Sequence, residues 1–452
     1  MEKEIMELKN KKLFKNHHFI TRNKKVLVYG LSISGEWVSR LLKKHKATVF
    51  LFDDDSVRLH SRRLKNCFVL QELNENIIKD LDLIVVSPAI EKDNRFLILA
   101  QQLGKPVVSE LEFAASYANN LVAVTGTNGK TTTVELIAAI LSEKHKSIAC
   151  GNNGYPVSKA ILENKHHILV VEVSSFMLEH ASTFAPHVAT ILNIEPDHLI
   201  RHKTMAEYTK LKYNIFANLK PTDYAVVNLD SNIHPTSRCN VVTYSLRHFA
   251  DVYYQKGSIY LHQQKVVDIN QLKIKGKHNI LNAMCAICYA YINKIPVAKI
   301  KHALINFNAA SFRNTQLNVK SEINFVNDSK STNIASTLAS VETTQGAIIL
   351  LLGGSKKGLN YNKLFEKLPK RVKQIVAFGQ IADDLEKANK KFKFAKFQNL
   401  KQAFDFAVSV ALPLDTVLFS PSSASYDQYS SYIERGNDFN NLVKQYVETK
   451  ME

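Results

Sequence analysis

Cysteine is scarce and scattered. Cys67, Cys150, Cys239, Cys285 and Cys288 are the only five in 452 residues, an odd number without regular spacing. That excludes a disulfide-stapled scaffold and fits a reducing compartment. Cys285 and Cys288 are spaced like half a metal site, but no second ligand pair lies near them and the stretch is strongly helical. They are expected on a buried helix face. Long apolar runs are missing too, and nothing approaches the roughly 20 residues of a membrane span. Met1 to Lys25 is mixed and charged, with no apolar core of the kind a signal peptide needs. The expected location is therefore cytoplasmic, without membrane insertion. Internal repeats and low-complexity tracts are also absent.

What is present is an ordinary globular composition, 45% hydrophobic and 22% charged. The length suits about three domains of roughly 150 residues each. The formal net charge of +18 could serve nucleic acid, an anionic surface or a phosphate-bearing substrate. The lysines run along the whole chain without interleaved aromatics, and no acidic Walker B strand with helicase-type motifs is found. No nucleic-acid partner is expected.

The most informative stretch runs from Leu121 to Thr132, an apolar run, a glycine turn, then Lys130 and the hydroxyls of Thr131 and Thr132. Val134, Ile137, Ala138 and Leu141 continue it at the spacing of one face of an amphipathic helix. A strand, a glycine loop and a helix N-terminus make a phosphate cradle, because inward N–H groups and the helix dipole favour an anion. Lys130 suits the β- and γ-phosphates, and Thr131 or Thr132 suits magnesium. Val124 stands where the strict P-loop pattern has its first glycine.

Before this stretch, Val26 to Tyr29, the turn Gly30 to Gly35, a helix through Leu42 and the strand Thr48 to Phe52 read as a βαβ unit. Asp53 ends its second strand, where a nucleoside is met in doubly wound folds. Ser32 replaces one fingerprint glycine, so a plain structural turn remains an alternative. Leu83 to Val86 leads into Ser87-Pro88, and Val107-Val108 closes this domain. Beyond the phosphate loop, Glu172 interrupts a buried apolar strand. An acid there is costly unless it is paired or bound to metal, so it is either a magnesium ligand or half of a buried pair. His198 could be a metal ligand, a phosphate contact or a loop histidine. Oxygen donors and phosphates favour magnesium over zinc. Edge strands are expected after residue 222, then a helix over Ile280 to Ile292, near whose start Asn279 and Asn282 either cap it or touch a purine. After a boundary near Ala309-Ala310, four apolar strands alternate with helical patterns, a second doubly wound unit. They are Phe325–Asn327, Ala347–Leu352, Gln374–Phe378 and Thr416–Phe419.

Taken together, the segments Thr125 to Thr131, Glu172 to Phe176, Asn193 to His198, Gly276 to Asn282 and Asn327 to Asn333 resemble the Mur ligase family. These are ATP-dependent amide-forming enzymes of peptidoglycan assembly. Leu351 to Lys357, Ser420 to Gln428 and Glu434 to Asn437 resemble the branch of that family that adds D-glutamate.

The resemblance implies an α/β chain of three domains. Residues 1–108 would form a Rossmann-like uridine-binding domain with a charged extension over 1–24, residues 109–309 a P-loop-type ATPase domain, and residues 310–452 a Rossmann-like domain for the amino acid. It implies UDP-N-acetylmuramoyl-L-alanine, D-glutamate and ATP as substrates, two magnesium ions, and a monomer. Gly126, Thr127, Asn128, Gly129, Lys130, Thr131 and Thr132 would hold the ATP phosphates. Asn279, Asn282, Arg313, Asp328 and Lys330 would surround the rest of the nucleotide. Thr131, Glu172, His198 and a carbamylated Lys212 would serve the metals. Ile33, Ser34, Asp53 and Ser87 would form the uridine pocket, and Asn152 and Ser174 would touch the sugar end. Lys330, Thr332, Lys357, Ser425 and Tyr432 would receive the amino acid. Lys130, His198 and Lys212 would be catalytic.

Four positions depart from the family pattern. Phe312 precedes Arg313 where histidine is more usual, Asp54-Asp55 replaces hydroxyl and basic residues, and Tyr432 stands for phenylalanine. A related alternative is a folylpolyglutamate synthase-like ligase, but about 100 residues precede the phosphate loop, room for the uridine domain that such an enzyme lacks. A non-catalytic UDP-sugar binder would leave Lys130 and Glu172 idle.

Overall fold

A computed structural model describes residues 13–451 apart from 16–17, 62–63, 65, 164–167 and 309–311. The expected boundary at Ala309-Ala310, and residues 1–12 of the N-terminal extension, lie outside the described residues. The chain is mixed α/β with three larger sheets, grouped into two compact units. The first unit holds the residues up to Ile194 with Ala206–Lys273 and Ile280–Phe307. The second holds Glu195–Met205, Ile274–Asn279 and the rest of the chain from Asn308.

In the first unit, five parallel strands form one sheet: Lys25–Tyr29, Thr48–Phe52, Phe68–Val69, Leu83–Val86 and Val107–Ser109. Their spatial order is third, second, first, fourth, fifth. The strand order therefore reverses beside Lys25–Tyr29, which makes the loops after this strand and after Leu83–Val86 the switch point at which open α/β sheets bind ligands. Alternate residues feed two cores. Val26 and Val28 face one side, and Leu27 and Tyr29 face the other. Burial on both faces is what near-continuous apolar runs predict. The short strand Phe68–Val69 escaped the sequence reading because two residues carry no periodicity.

The nine-stranded sheet of the same unit runs, from one edge, through Ser147–Gly151, Ile168–Glu172, Leu121–Thr125, Val188–Ile191, Tyr224–Asn228, Asn240–Ser245 and Val252–Gln255. These are parallel, and Ser258–Leu261 and Gln264–Asp268 extend the sheet antiparallel. Leu121–Thr125 thus sits between two parallel partners, fully buried. The helix Lys130–Ser142 that follows is not amphipathic as its spacing suggested. Thr131 to Val134, Leu136 to Ala138, Ile140 and Leu141 are all buried. It packs on the strands Ser147–Gly151 and Ile168–Glu172, and against the helix Val297–Asn306. Cys285 and Cys288 are buried in the helix Lys277–Ile292, as expected.

The second unit carries six strands in the order Thr315–Gln316, Asn324–Asn327, Thr416–Ser422, Ile348–Gly353, Val372–Phe378 and Lys393–Phe397. Only the first is antiparallel. Its two faces again divide by alternation, with Leu350 and Leu352 on one side and Ile349 and Leu351 on the other. Four of these strands match those expected. Thr315–Gln316 is too short to read, and Lys393–Phe397 is a half-exposed edge rich in lysine.

Candidate active site

The geometry around the phosphate loop follows from strand register. Glu172 pairs with Val124, and Ile191 pairs with Thr125, so the ends of three parallel strands open onto one loop. Gly126 has φ 153° and Gly129 φ 82°. A Cβ on Gly126 would lie 3.0 Å from Leu192 Cβ, and one on Gly129 would lie 2.6 Å from Asn282 Oδ1. Both positions need glycine for conformation and for space. Asn282 is buried against the loop.

Five of the expected residues converge here. Thr131 Oγ1 donates to Glu172 Oε2 over 2.6 Å, and Asn152 Nδ2 donates to Glu172 Oε1 over 2.9 Å. Glu172 is 1% exposed. Lys130 Nζ donates to the Gly126 and Thr127 carbonyls, each at 2.9 Å. Its ammonium is folded into the cradle that phosphate oxygens would enter. Lys212 Nζ, also 1% exposed, reaches the Gly126 carbonyl at 2.9 Å and lies 4.6 Å from the centre of the Tyr208 ring. Thr127 Oγ1 lies 3.1 Å from Tyr208 Oη. The Thr131 and Glu172 oxygens fit a hard divalent cation. Among the described residues no three His, Cys, Asp or Glu side chains gather as a metal cage.

Asn193 lies just beyond the strand Val188–Ile191, beside the phosphate loop. Its side chain exchanges two hydrogen bonds with the loop, accepting from the Asn128 N–H at 2.8 Å and donating to the Asn128 carbonyl at 3.1 Å. An amide placed just after a strand end was the available signal. Ser174 accepts from the Met177 N–H at 3.3 Å, the start of the short helix Met177–His180.

At the switch point of the five-stranded sheet, Asp53 is turned inward. It accepts from the N–H groups of Leu31 at 2.6 Å and Asp55 at 2.9 Å, so its carboxylate shapes the glycine turn. The Ser32 and Ser87 hydroxyls meet at 2.6 Å and join the two loops. Ile33, half exposed, and Ser34 open the helix Ile33–Lys44. Asp54 accepts from the Tyr29 hydroxyl at 2.7 Å.

In the second unit, Lys357 Nζ donates to Asp197 Oδ1 at 3.1 Å and to the Thr332 carbonyl at 3.0 Å. His198 has φ 54°, and its Nε2 lies 3.5 Å from Asp197 Oδ2. Lys330 Nζ stands 3.8 Å over the Tyr432 ring. Asp328 is buried, accepting from Ser420 at 2.8 Å, from Ser331 and from the Asn314 N–H at 3.0 Å. Burial pushes its carboxyl up to about 6 despite those donors. Asn279 donates to the Lys275 carbonyl at 2.8 Å. Arg313 is partly buried, and Ser425 buried with its carbonyl accepting from the Tyr429 N–H at 2.9 Å. Phe312 is a core residue here, its ring filling the space that a side chain on Gly436 would take.

Arg435 carried no expected role, yet it is the largest fully buried side chain among the described residues. Its guanidinium donates to the Ser329 hydroxyl at 3.1 Å and to the Ser329 and Ser423 carbonyls at 2.8 and 3.0 Å. It joins the loops that carry Lys330 and Ser425. Burial lowers its pKa to about 10, so it stays charged.

Comparison with known proteins bears on the same residues. The Mur ligase middle-domain model matches residues 124–290, which include Lys130, Glu172 and Lys212. The UDP-N-acetylmuramoylalanine–D-glutamate ligase of Clostridioides difficile is 34% identical over 448 residues, covering 93% of this chain and 98% of that one. The chain belongs to the Mur ligase family. Solved Mur ligases share the fold at low identity. MurF from Acinetobacter baumannii superposes with a TM-score of 0.62 at 17% identity, covering 95% of this chain and 91% of that one. MurF from Thermotoga maritima, solved with ADP, gives 0.60 at 16% identity, covering 97% and 100%. No helix among the described residues of this Mur ligase is long and apolar enough to cross a membrane.

Proposed function

We propose that this Mur ligase joins D-glutamate to UDP-N-acetylmuramoyl-L-alanine, with ATP converted to ADP and phosphate, in cytoplasmic peptidoglycan precursor synthesis. The observation that carries the reading is the convergence of Lys130, Thr131, Asn152, Glu172 and Lys212 on one glycine loop. Relatedness to the Clostridioides protein over nearly its whole length supports the choice of amino acid.

A carboxylate does not condense with an amine in water, because oxide would have to leave. In the proposed reaction a carboxylate oxygen of the UDP substrate attacks the γ-phosphorus of ATP and ADP departs. The resulting acyl phosphate is attacked by the D-glutamate nitrogen. The C–N bond forms, phosphate leaves with the C–O bond pair, and the amine gives up a proton. Negative charge grows on oxygens in both steps, and a preorganised cation is the main stabiliser. Lys130 is that cation, exchanging the Gly126 and Thr127 carbonyls for phosphate oxygens, with the N–H groups of Gly126 to Thr132 around them. Magnesium, when bound, supplies further charge neutralisation, and Thr131 and Glu172 would hold it. Two ions are proposed, the second beside His198. Lys212, buried against the Gly126 carbonyl, is proposed to carry a carbamate, which would replace its positive charge with a negative one suited to magnesium.

The first five-stranded sheet is proposed as a Rossmann-like uridine site through Ile33, Ser34, Asp53 and Ser87, and the nine-stranded sheet as the P-loop-type ATPase. Asn279, Asn282, Arg313, Asp328 and Lys330 serve the nucleotide, and Thr332, Lys357, Ser425 and Tyr432 serve D-glutamate. Asn152 and Ser174 serve the sugar end. The working form is a monomer.

Phosphate release with ATP, magnesium and UDP-N-acetylmuramoyl-L-alanine tests the proposal when D-glutamate is compared with L-glutamate, L-lysine and diaminopimelate. Release should require D-glutamate and vanish in Lys130→Ala. Release independent of the amino acid supplied overturns it.

A further inference from the structure

Within the second unit, the surroundings of Asp197 look like a carboxylate-binding site already filled by the protein. Oδ1 takes the Lys357 ammonium at 3.1 Å and the His198 N–H at 2.9 Å. Oδ2 lies 3.4 Å from Asn333 Nδ2 and 3.5 Å from His198 Nε2. The side chains of Asp197 and Lys357 are 6% and 10% exposed. A lysine, an amide and an imidazole around two oxygens are the donors a free amino acid's carboxylate would need.

Two features hold the pair in place from either side. Lys357 follows the strand Ile348–Gly353 and is also tethered to the Thr332 carbonyl, next in the chain to Asn333. Gly358, φ 67°, leaves room for Ile200, three residues after Asp197, since a Cβ there would lie 3.3 Å from Ile200 Cγ1. The two segments therefore meet in a defined register.

We propose that Asp197 is an internal stand-in for the carboxylate of the incoming amino acid, bound to Lys357 until substrate displaces it. This rests on the reading of Lys357 as a D-glutamate contact. A charge pair this buried is costly to break unless the ammonium gains another anion at once. An incoming carboxylate provides that exchange, and an uncharged amide in its place does not. The pair thus keeps the site closed to neutral analogues and makes D-glutamate binding to the free protein weaker than Lys357 alone would allow.

The test is calorimetric titration of the nucleotide-free protein with D-glutamate. Asp197→Asn, which keeps an oxygen for the neighbouring donors, should bind D-glutamate about tenfold more tightly than wild type. Lys357→Ala should abolish binding, alone or combined with Asp197→Asn. If Asp197→Asn binds no better while Lys357→Ala still abolishes binding, the stand-in is wrong and the D-glutamate contact stands. If Lys357→Ala binds like wild type, the contact itself is wrong. Crystal structures of the wild-type protein with and without D-glutamate decide the matter even where a variant fails to fold. Lys357 should leave Asp197 for the ligand, and an unbroken Lys357–Asp197 pair in the complex overturns the proposal.

Discussion

Thr131 gives its hydroxyl hydrogen to Glu172 across 2.6 Å, from the first turn of one helix to the end of a neighbouring strand. Each residue makes sense of the other. The buried acid needs a donor, and the hydroxyl is held where it faces the loop.

Exchanging Glu172 for Gln keeps the shape and removes the charge. Its oxygen can still accept from Thr131, and Asn152 can turn its amide to accept from the new NH2 group. Glu172→Gln should therefore melt close to wild type while phosphate release falls by about 100-fold or more, the scale of losing one preorganised electrostatic group. Release within a few-fold of wild type would remove Glu172 from the metal site.

At Gly129 a methyl group would be built 2.6 Å from Asn282 Oδ1, on a backbone at φ 82°. Gly129→Ala should cost about 1–3 kcal/mol of stability and weaken nucleotide binding, because the helix N-terminus must shift. Thermal melting and ADP titration measure the two effects. Gly154, also at positive φ but with open space around it, is the control, and Gly154→Ala should spare ADP binding.

Asp328 makes a pH prediction. Burial raises its folded pKa to about 6, above the 3.8 of an ordinary aspartate. A raised folded pKa means that stability is fully present below the unfolded value and is lost as pH rises through the folded one. The loss is of the order of 3 kcal/mol by neutral pH. Asp328→Asn should remove this slope, so the difference in melting temperature between variant and wild type should grow in the variant's favour from pH 4 to 7. A constant difference across that range would show that the carboxyl is not raised.

For Arg435, the fork of the guanidinium is what reaches Ser329 and Ser423 together. A lysine carries the charge but has one nitrogen, so Arg435→Lys leaves buried acceptors unpaired and should cost about 1–3 kcal/mol. Denaturant titration measures it. D-Glutamate KM should rise as well, since Ser425 lies two residues from the Ser423 anchor. No change in either would make the arginine dispensable.

Much of this molecule is determined by local sequence. Strands buried on both faces announce themselves as apolar runs, and Leu121 to Lys130 announces an anion cradle, because glycine, lysine and a helix start are local requirements. Glu172 was legible for a related reason, since an acid in such a run must have a partner. Spacing along one helix could not show that Lys130–Ser142 is covered on nearly every side, because what packs against it comes from distant segments. Only the fold placed Glu172 level with Val124, wrapped Asn193 around the loop, turned Asp53 toward Leu31 and set Asp197 on Lys357. Those partners are far apart in the chain, and it is parallel strand register and burial, not spacing along the sequence, that brings them within hydrogen-bond reach.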